Sequence, residues 1–160
     1  CPHDNCDLIH ILCECPSVQS LWPGVESILR DIIPFETPLS KSLIILHDTG
    51  ANLDLSRPQR RLLHTALAMA KICILRHWRS PTPPTQEEWH TAMVQTASYE
   101  KIIYNLQDQA DVFFQRWAPF LQTTATWKHS PAVSRRKIIL SPLIPRPYSP
   151  LTLLLSTFSF

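Results

Sequence analysis

Fifteen prolines against two glycines constrain this 160-residue chain more than any other feature. A proline within a helix or a central strand removes a backbone donor and crowds the turn before it. Glycine-dependent hairpin turns, which build antiparallel sheets, are correspondingly scarce. What remains is helices separated by stiff breaks. The expected fold class is mainly α: a small helical domain, with a partial zinc-knuckle-like N-terminus and a disordered C-terminal tail.

Apolar spacing places the main helices at about 17–33, 57–79 and 86–117, inside a helical domain spanning 17–128. In the first, Val18, Leu21, Trp22, Val25, Ile28, Leu29 and Ile32 recur three and four residues apart. Pro23-Gly24 interrupts it. An interior proline costs about 3 kcal/mol and an interior glycine about 1 kcal/mol relative to alanine, so a kink or break is expected there. Pro34 and Pro38 end the helix. SLIILHD (42–48) is too short for its period to separate strand from buried turn. His47-Asp48 within it reads as a loop hydrogen bond, because no nucleophile accompanies the pair.

The best-formed element is SRPQRRLLHTALAMAKICILRHWR (56–79). Ser56 and Gln59 form a capping box, and Pro58 fits the first turn. Leu62, Ala66, Met69, Ala70, Cys73 and His77 share one face. Arg57, Arg60, Arg61, His64, Lys71 and Arg79 share an arc of roughly 100° opposite. A charged outer face can be simple solvation. Here no acid interrupts the stripe, so the usual acid–base pairing across a turn is absent, and phosphate contact stands beside solvation as a reading.

SPTPPT (80–85) is a rigid link. Thr85 and Glu88 form a second capping box. Trp89, Met93, Tyr99, Ile103, Leu106, Ala110, Phe113 and Trp117 then predict one helix, possessing an aromatic core face and ended by Pro119. Residues 129–160 carry prolines at 142, 145, 147 and 150, four bases and no acid, and read as a disordered, extended basic tail.

Charge is segregated. Residues 1–54 hold eight acids and two bases, whereas residues 55–80 hold six bases and no acid. That pattern suggests a surface for a polyanion, the backbone of RNA or DNA. No apolar run of about eighteen residues and no signal-peptide pattern is present, so an intracellular chain with no membrane partner is expected.

Cys1, Cys6, His10, Cys13 and Cys15 crowd into residues 1–16. His10 and Cys13 would lie one turn apart on a helix starting near Asp7. Either the cysteines are reduced and partly buried, or several hold a metal; spacing alone decides neither.

Several stretches together resemble the region after the polymerase in reverse transcriptases of LINE-class, non-LTR retrotransposons. They are His10-x4-Cys15-Pro16, VQSLW (18–22), a helix ending in IIP (32–34), the stretch 53–89 with its basic helix, proline link and two tryptophans, YEK (99–101) and QRWAPFL (115–121). Their shared order covers roughly residues 1–121. The resemblance implies a knuckle of two cysteines before a histidine and one after. It matches Cys1, His10 and Cys15 as zinc ligands and places the fourth upstream of this chain, as if the chain were cut through the site. Cys6 or Cys13 could replace that thiolate; both depart from the pattern, as does Pro23-Gly24, which suggests a decayed copy. The resemblance also implies RNA as partner, met by Arg57, Arg60, Arg61, Lys71 and Arg79; the alternative is a structural or docking fragment for the absent polymerase domain of the parent polyprotein, poorly folded alone.

Polymerisation needs paired aspartates for metal-assisted phosphoryl transfer. No YADD-like motif occurs, and Asp48, Asp54, Asp108 and Asp111 stand singly. No phosphate loop or serine elbow is present either. The expected role is non-catalytic.

Overall fold

Local capping chemistry decides where the two longest helices begin. In the computed structural model, residues 7–34, 38–48 and 54–128 are described, with side chains to residue 123. The metal candidates Cys1 and Cys6 and the tail 129–160 lie outside them. A π-helical turn at His10–Glu14 precedes α1 (Pro16–Gln19), α2 (Leu21–Ile32), α3 (Lys41–Leu46), α4 (Arg57–His77), α5 (Gln86–Leu106) and α6 (Ala110–Lys128). The fold is mainly α, with no strand among the described residues.

Both capping boxes form. Ser56 Oγ accepts from the Gln59 amide while Gln59 Oε1 accepts from Ser56 N at 2.9 Å. Thr85 Oγ1 and Glu88 exchange the same pair of bonds at 3.2 and 3.1 Å. These reciprocal bonds satisfy donors that a helix start leaves open.

The first helix differs from expectation. Its break falls at Ser20, and Pro23 and Gly24 sit inside the first turn of α2, where proline's missing donor is harmless. α2 passes close to the start of α5: a Cβ on Gly24 would lie 2.5 Å from Gln86 Oε1, the end of a flexible side chain that could swing aside. Ile33 turns extended, as a residue before proline is pushed to do.

SLIILHD contributes a helix, not a strand. Ser40 Oγ caps α3 by accepting from Leu43 N at 3.1 Å, and His47 ends it in the left-handed region at φ 57°.

The single helix expected at 86–117 is two. After Leu106, Gln109 N bonds back to Tyr104 O at 2.9 Å and Asp108 adopts φ 54°, so the chain turns without proline or glycine. Pro119 does not end α6 but lies inside it. The turn reorients the apolar seam. Trp89, Met93, Phe113 and Trp117 are buried, whereas Tyr99, Ile103 and Leu106, expected in the core, are exposed together with Ile102.

The core lies where α4, α5 and α6 pack on one another, with α2 against all three. Leu63, Ala66, Leu67 and Ala70 of α4 are fully covered. The alanines leave room for Trp89, whose indole N–H donates to Ala66 O at 2.9 Å. Phe120 meets Trp89 and Trp117 edge-on, both at 6.1 Å between centroids. Trp22 donates to Leu12 O at 2.7 Å, fastening the π turn to α2. Each buried indole thus has its acceptor, as burial of a polar atom demands.

Candidate nucleic-acid interface

α4 presents its bases to three different neighbourhoods. Arg57, Arg60 and Arg61 are exposed on its first turns, and Arg79 is exposed just past its end, about 30 Å away at 1.5 Å per residue. Among the described residues none of these four guanidinium groups forms an ion pair with a carboxylate. Four other basic groups are paired among the described residues, whereas Lys101 on α5 is not: Arg30 holds Glu26 at 2.5 Å, Lys41 holds Glu14, Arg116 holds Glu100 at 2.8 Å and His77 holds Glu88 at 2.9 Å. Arg76, also exposed on α4, adds a base that the stripe had omitted.

Lys71 is placed differently from those arginines. It is half-buried beneath α3, with Nζ donating to Ile45 O at 3.4 Å and lying 3.0 Å from His47 Nε2. An ammonium has only donors, so His47 accepts there and its ring is neutral. The His47 ring stacks on His64 at 4.9 Å. Burial, then Lys71 and the neighbouring ring, push the His47 pKa down; burial, then Arg60 and Lys71, do the same to His64. Burial also lowers Lys71 itself, against the pull of Cys13. This neighbourhood is cationic but shielded.

At the far end of α4 the imidazole of His77 behaves oppositely. Its Nδ1 lies 2.9 Å from Thr82 O and its Nε2 2.9 Å from Glu88 Oε1. Both partners are acceptors, so both ring nitrogens carry protons and the ring is a cation. The Glu88 bond raises its pKa foremost, against partial burial. Burial pushes Glu88 up, but bonds from His77 and Thr85 outweigh it and hold the carboxylate below its ordinary range. The proline-rich link is thereby clamped between α4 and α5.

Two clefts flank the helix. One, of about 390 Å³, lies beside Cys15, His77, Trp78 and Arg79, so the structure brings two sequence-predicted site residues, Cys15 and Arg79, to one place. Arg79 there stacks over the exposed Trp78 ring at 4.3 Å. The other, of about 310 Å³, is lined by Arg57 and Arg61 of α4, Tyr104 of α5 and Arg116 of α6. Tyr104 and Arg116 were not among the sequence candidates, since they come from elements remote from the basic stretch.

Of the metal candidates, His10 and Cys13 are half-buried and Cys15 is buried. Asp7 Oδ1 accepts from His10 N at 2.7 Å, starting the helical turn, and Cys15 closes the π turn through its amide to His10 O at 2.8 Å. Burial raises the Cys13 thiol pKa, while the nearby Lys41 pulls it the other way. Among the described residues no three His, Cys, Asp or Glu side chains gather as a metal site, and no helix is long and apolar enough to cross a membrane.

No family model matches this chain, and comparisons with curated proteins and with solved structures find no match.

Proposed function

We propose that this chain is a non-catalytic piece of a LINE-class reverse transcriptase polyprotein, from the region after the polymerase, that holds RNA by its phosphates. One observation carries the reading. The exposed arginines of α4 and its end have no carboxylate partner among the described residues, while Arg30, Lys41, Arg116 and His77 each have one. Arg57, Arg60, Arg61 and Arg79 make the contacts, and Lys71 contributes field from beneath α3. Such binding depends on salt and reads little sequence. A zinc held by His10 and Cys15 with Cys1, and with Cys6 or Cys13 completing the set, would fix the N-terminal turn; a chain carrying less than one zinc per molecule argues against it.

Reversing Arg57, Arg60 and Arg61 to glutamate is expected to abolish retention on RNA at low salt. Measured as affinity against salt, neutralising each to glutamine should flatten the logarithmic slope by about 0.7 per lost contact for a single strand. Unchanged retention defeats the proposal.

A second reading rests on a different observation. Tyr99, Ile102, Ile103 and Leu106 form an exposed apolar stripe on the second half of α5. It supports docking on the polymerase domain of the parent protein. Self-association that is unaffected by RNA and relieved by polar substitution of the stripe would favour it.

A further inference from the structure

We infer that the cleft between the first turns of α4, the end of α5 and α6 is a subsite for one unstacked nucleobase of a single strand, held together with its phosphate. The inference rests on the RNA-binding reading and specifies which form of nucleic acid the arginines meet.

The cleft, of about 310 Å³, has two kinds of wall. Pro58, Val112 and the Tyr104 ring are apolar surfaces that suit the face of a base. The Tyr104 ring is braced by Phe113 at 6.3 Å, so the platform is held by the core. Arg57 and Arg61, one helical turn apart, supply two guanidinium groups with no ion pair among the described residues. Gln115, exposed on α6, offers both a donor and an acceptor to a base edge.

Arg116 differs from the other two arginines. Its Nη1 pairs with Glu100 and its Nη2 donates to Thr65 Oγ1 at 2.5 Å, which fixes it as part of the wall. Its Nε is buried without a hydrogen-bond partner among the described residues. Among the described residues no carboxylate lines the cleft. Asp108 and Asp111 lie in the turn and first turn of α6, outside the lining.

A stiff aromatic beside paired arginines is the arrangement by which single strands are gripped: bases stack while the backbone is neutralised. A duplex presents its bases already stacked and cannot fill such a cleft. A mononucleotide shares the chemistry but lacks the flanking phosphates that Arg60 and the rest of α4 would meet.

The test uses the full chain and fluorescence anisotropy at low salt, with four probes: an oligouridylate, an abasic oligomer of equal length, a duplex, and uridine monophosphate. The oligouridylate is expected to bind about tenfold more tightly than the abasic oligomer, the scale of one stacked base. Tyr104→Ala should erase that difference and leave abasic binding unchanged, and Tyr104→Phe should restore it. Val112→Trp, which fills the cleft from α6, should act like Tyr104→Ala and serves where the alanine variant is unfolded by circular dichroism.

Equal binding of oligouridylate and abasic oligomer by the native chain, or a preference that survives both variants, overturns the subsite while leaving phosphate binding intact. Duplex binding as tight as oligouridylate overturns it equally. Uridine monophosphate binding as tightly as the oligomer overturns the strand and assigns the cleft to a free nucleotide. Failure of the native chain to bind any oligomer overturns the RNA-binding reading itself.

Discussion

α4 and α5 are alike on paper: each is 21 residues long, each opens on a capping box, and each carries an apolar face. α4 buries that face from Leu62 to Ile74 and turns unpaired bases outward. α5 buries only its first half, through Trp89, Met93 and Ala97, and leaves Tyr99, Ile102, Ile103 and Leu106 uncovered. Helical periodicity therefore reports that a face exists, and tertiary neighbours decide whether anything covers it. The two helices also divide the charge, since acids open α5 at Glu87 and Glu88 whereas α4 has none in its first turn.

The sharpest way to break this contrast is at the seam the helices share. Trp89→Ala removes a fully buried ring and its bond to Ala66 O, and is expected to cost about 3–5 kcal/mol by denaturant unfolding. A loss below about 1 kcal/mol would mean that α5 is not anchored on α4.

A smaller effect tests the two ends of α4 against each other by pH. The His77 pKa is raised above 6.5, so its stabilisation is complete below that value and is lost as pH rises through the folded pKa. Glu88 is lowered below 4.5, so the clamp also fails as pH falls through its folded value. His47 and His64 are lowered below 6.5; their contribution is present above 6.5 and lost as pH falls through their folded values. His77→Gln should therefore reduce Tm more at about pH 5.5, which lies between the Glu88 and His77 ranges where the clamp is complete, than at about pH 8. Amide exchange, corrected for intrinsic rate, should show α3 loosening on acidification over the same interval. A pH-independent Tm difference or an unchanged α3 would refute the respective arm.

The smallest effect is expected on the bare half of α5. Leu106, 82 % exposed, should accept lysine within about 0.5 kcal/mol, with a gain in solubility readable by light scattering. A large loss of stability would place Leu106 under cover and remove the contrast.

Sequence disclosed what short-range chemistry controls. Both capping boxes and the exposed arginines of α4 were legible because the signals lie within one helical turn. Four features were not. α3 escaped because six residues hold too little period, although Ser40 was a readable cap. The turn at 107–109 carries no proline or glycine: Asp108 takes a conformation few side chains adopt. The shielding of Lys71 followed from missing α3, and the cleft at Tyr104 depends on three elements meeting. Pro119 misled in the opposite sense, since a helix held by Trp117 and Phe120 tolerates a missing bond.

The tight reversal at Asp108 has a consequence for tolerated change. It sets the phase at which α6 starts, and one residue added inside α6 ahead of Arg116 would rotate the rest of that helix by about 100° about its own axis. Arg116, Trp117 and Phe120 would swing away from Thr65, Glu100 and Trp89 in a single step. Spacing is therefore what α6 must keep between its start and Arg116, whereas at Asp108 the left-handed backbone restricts which side chains can serve.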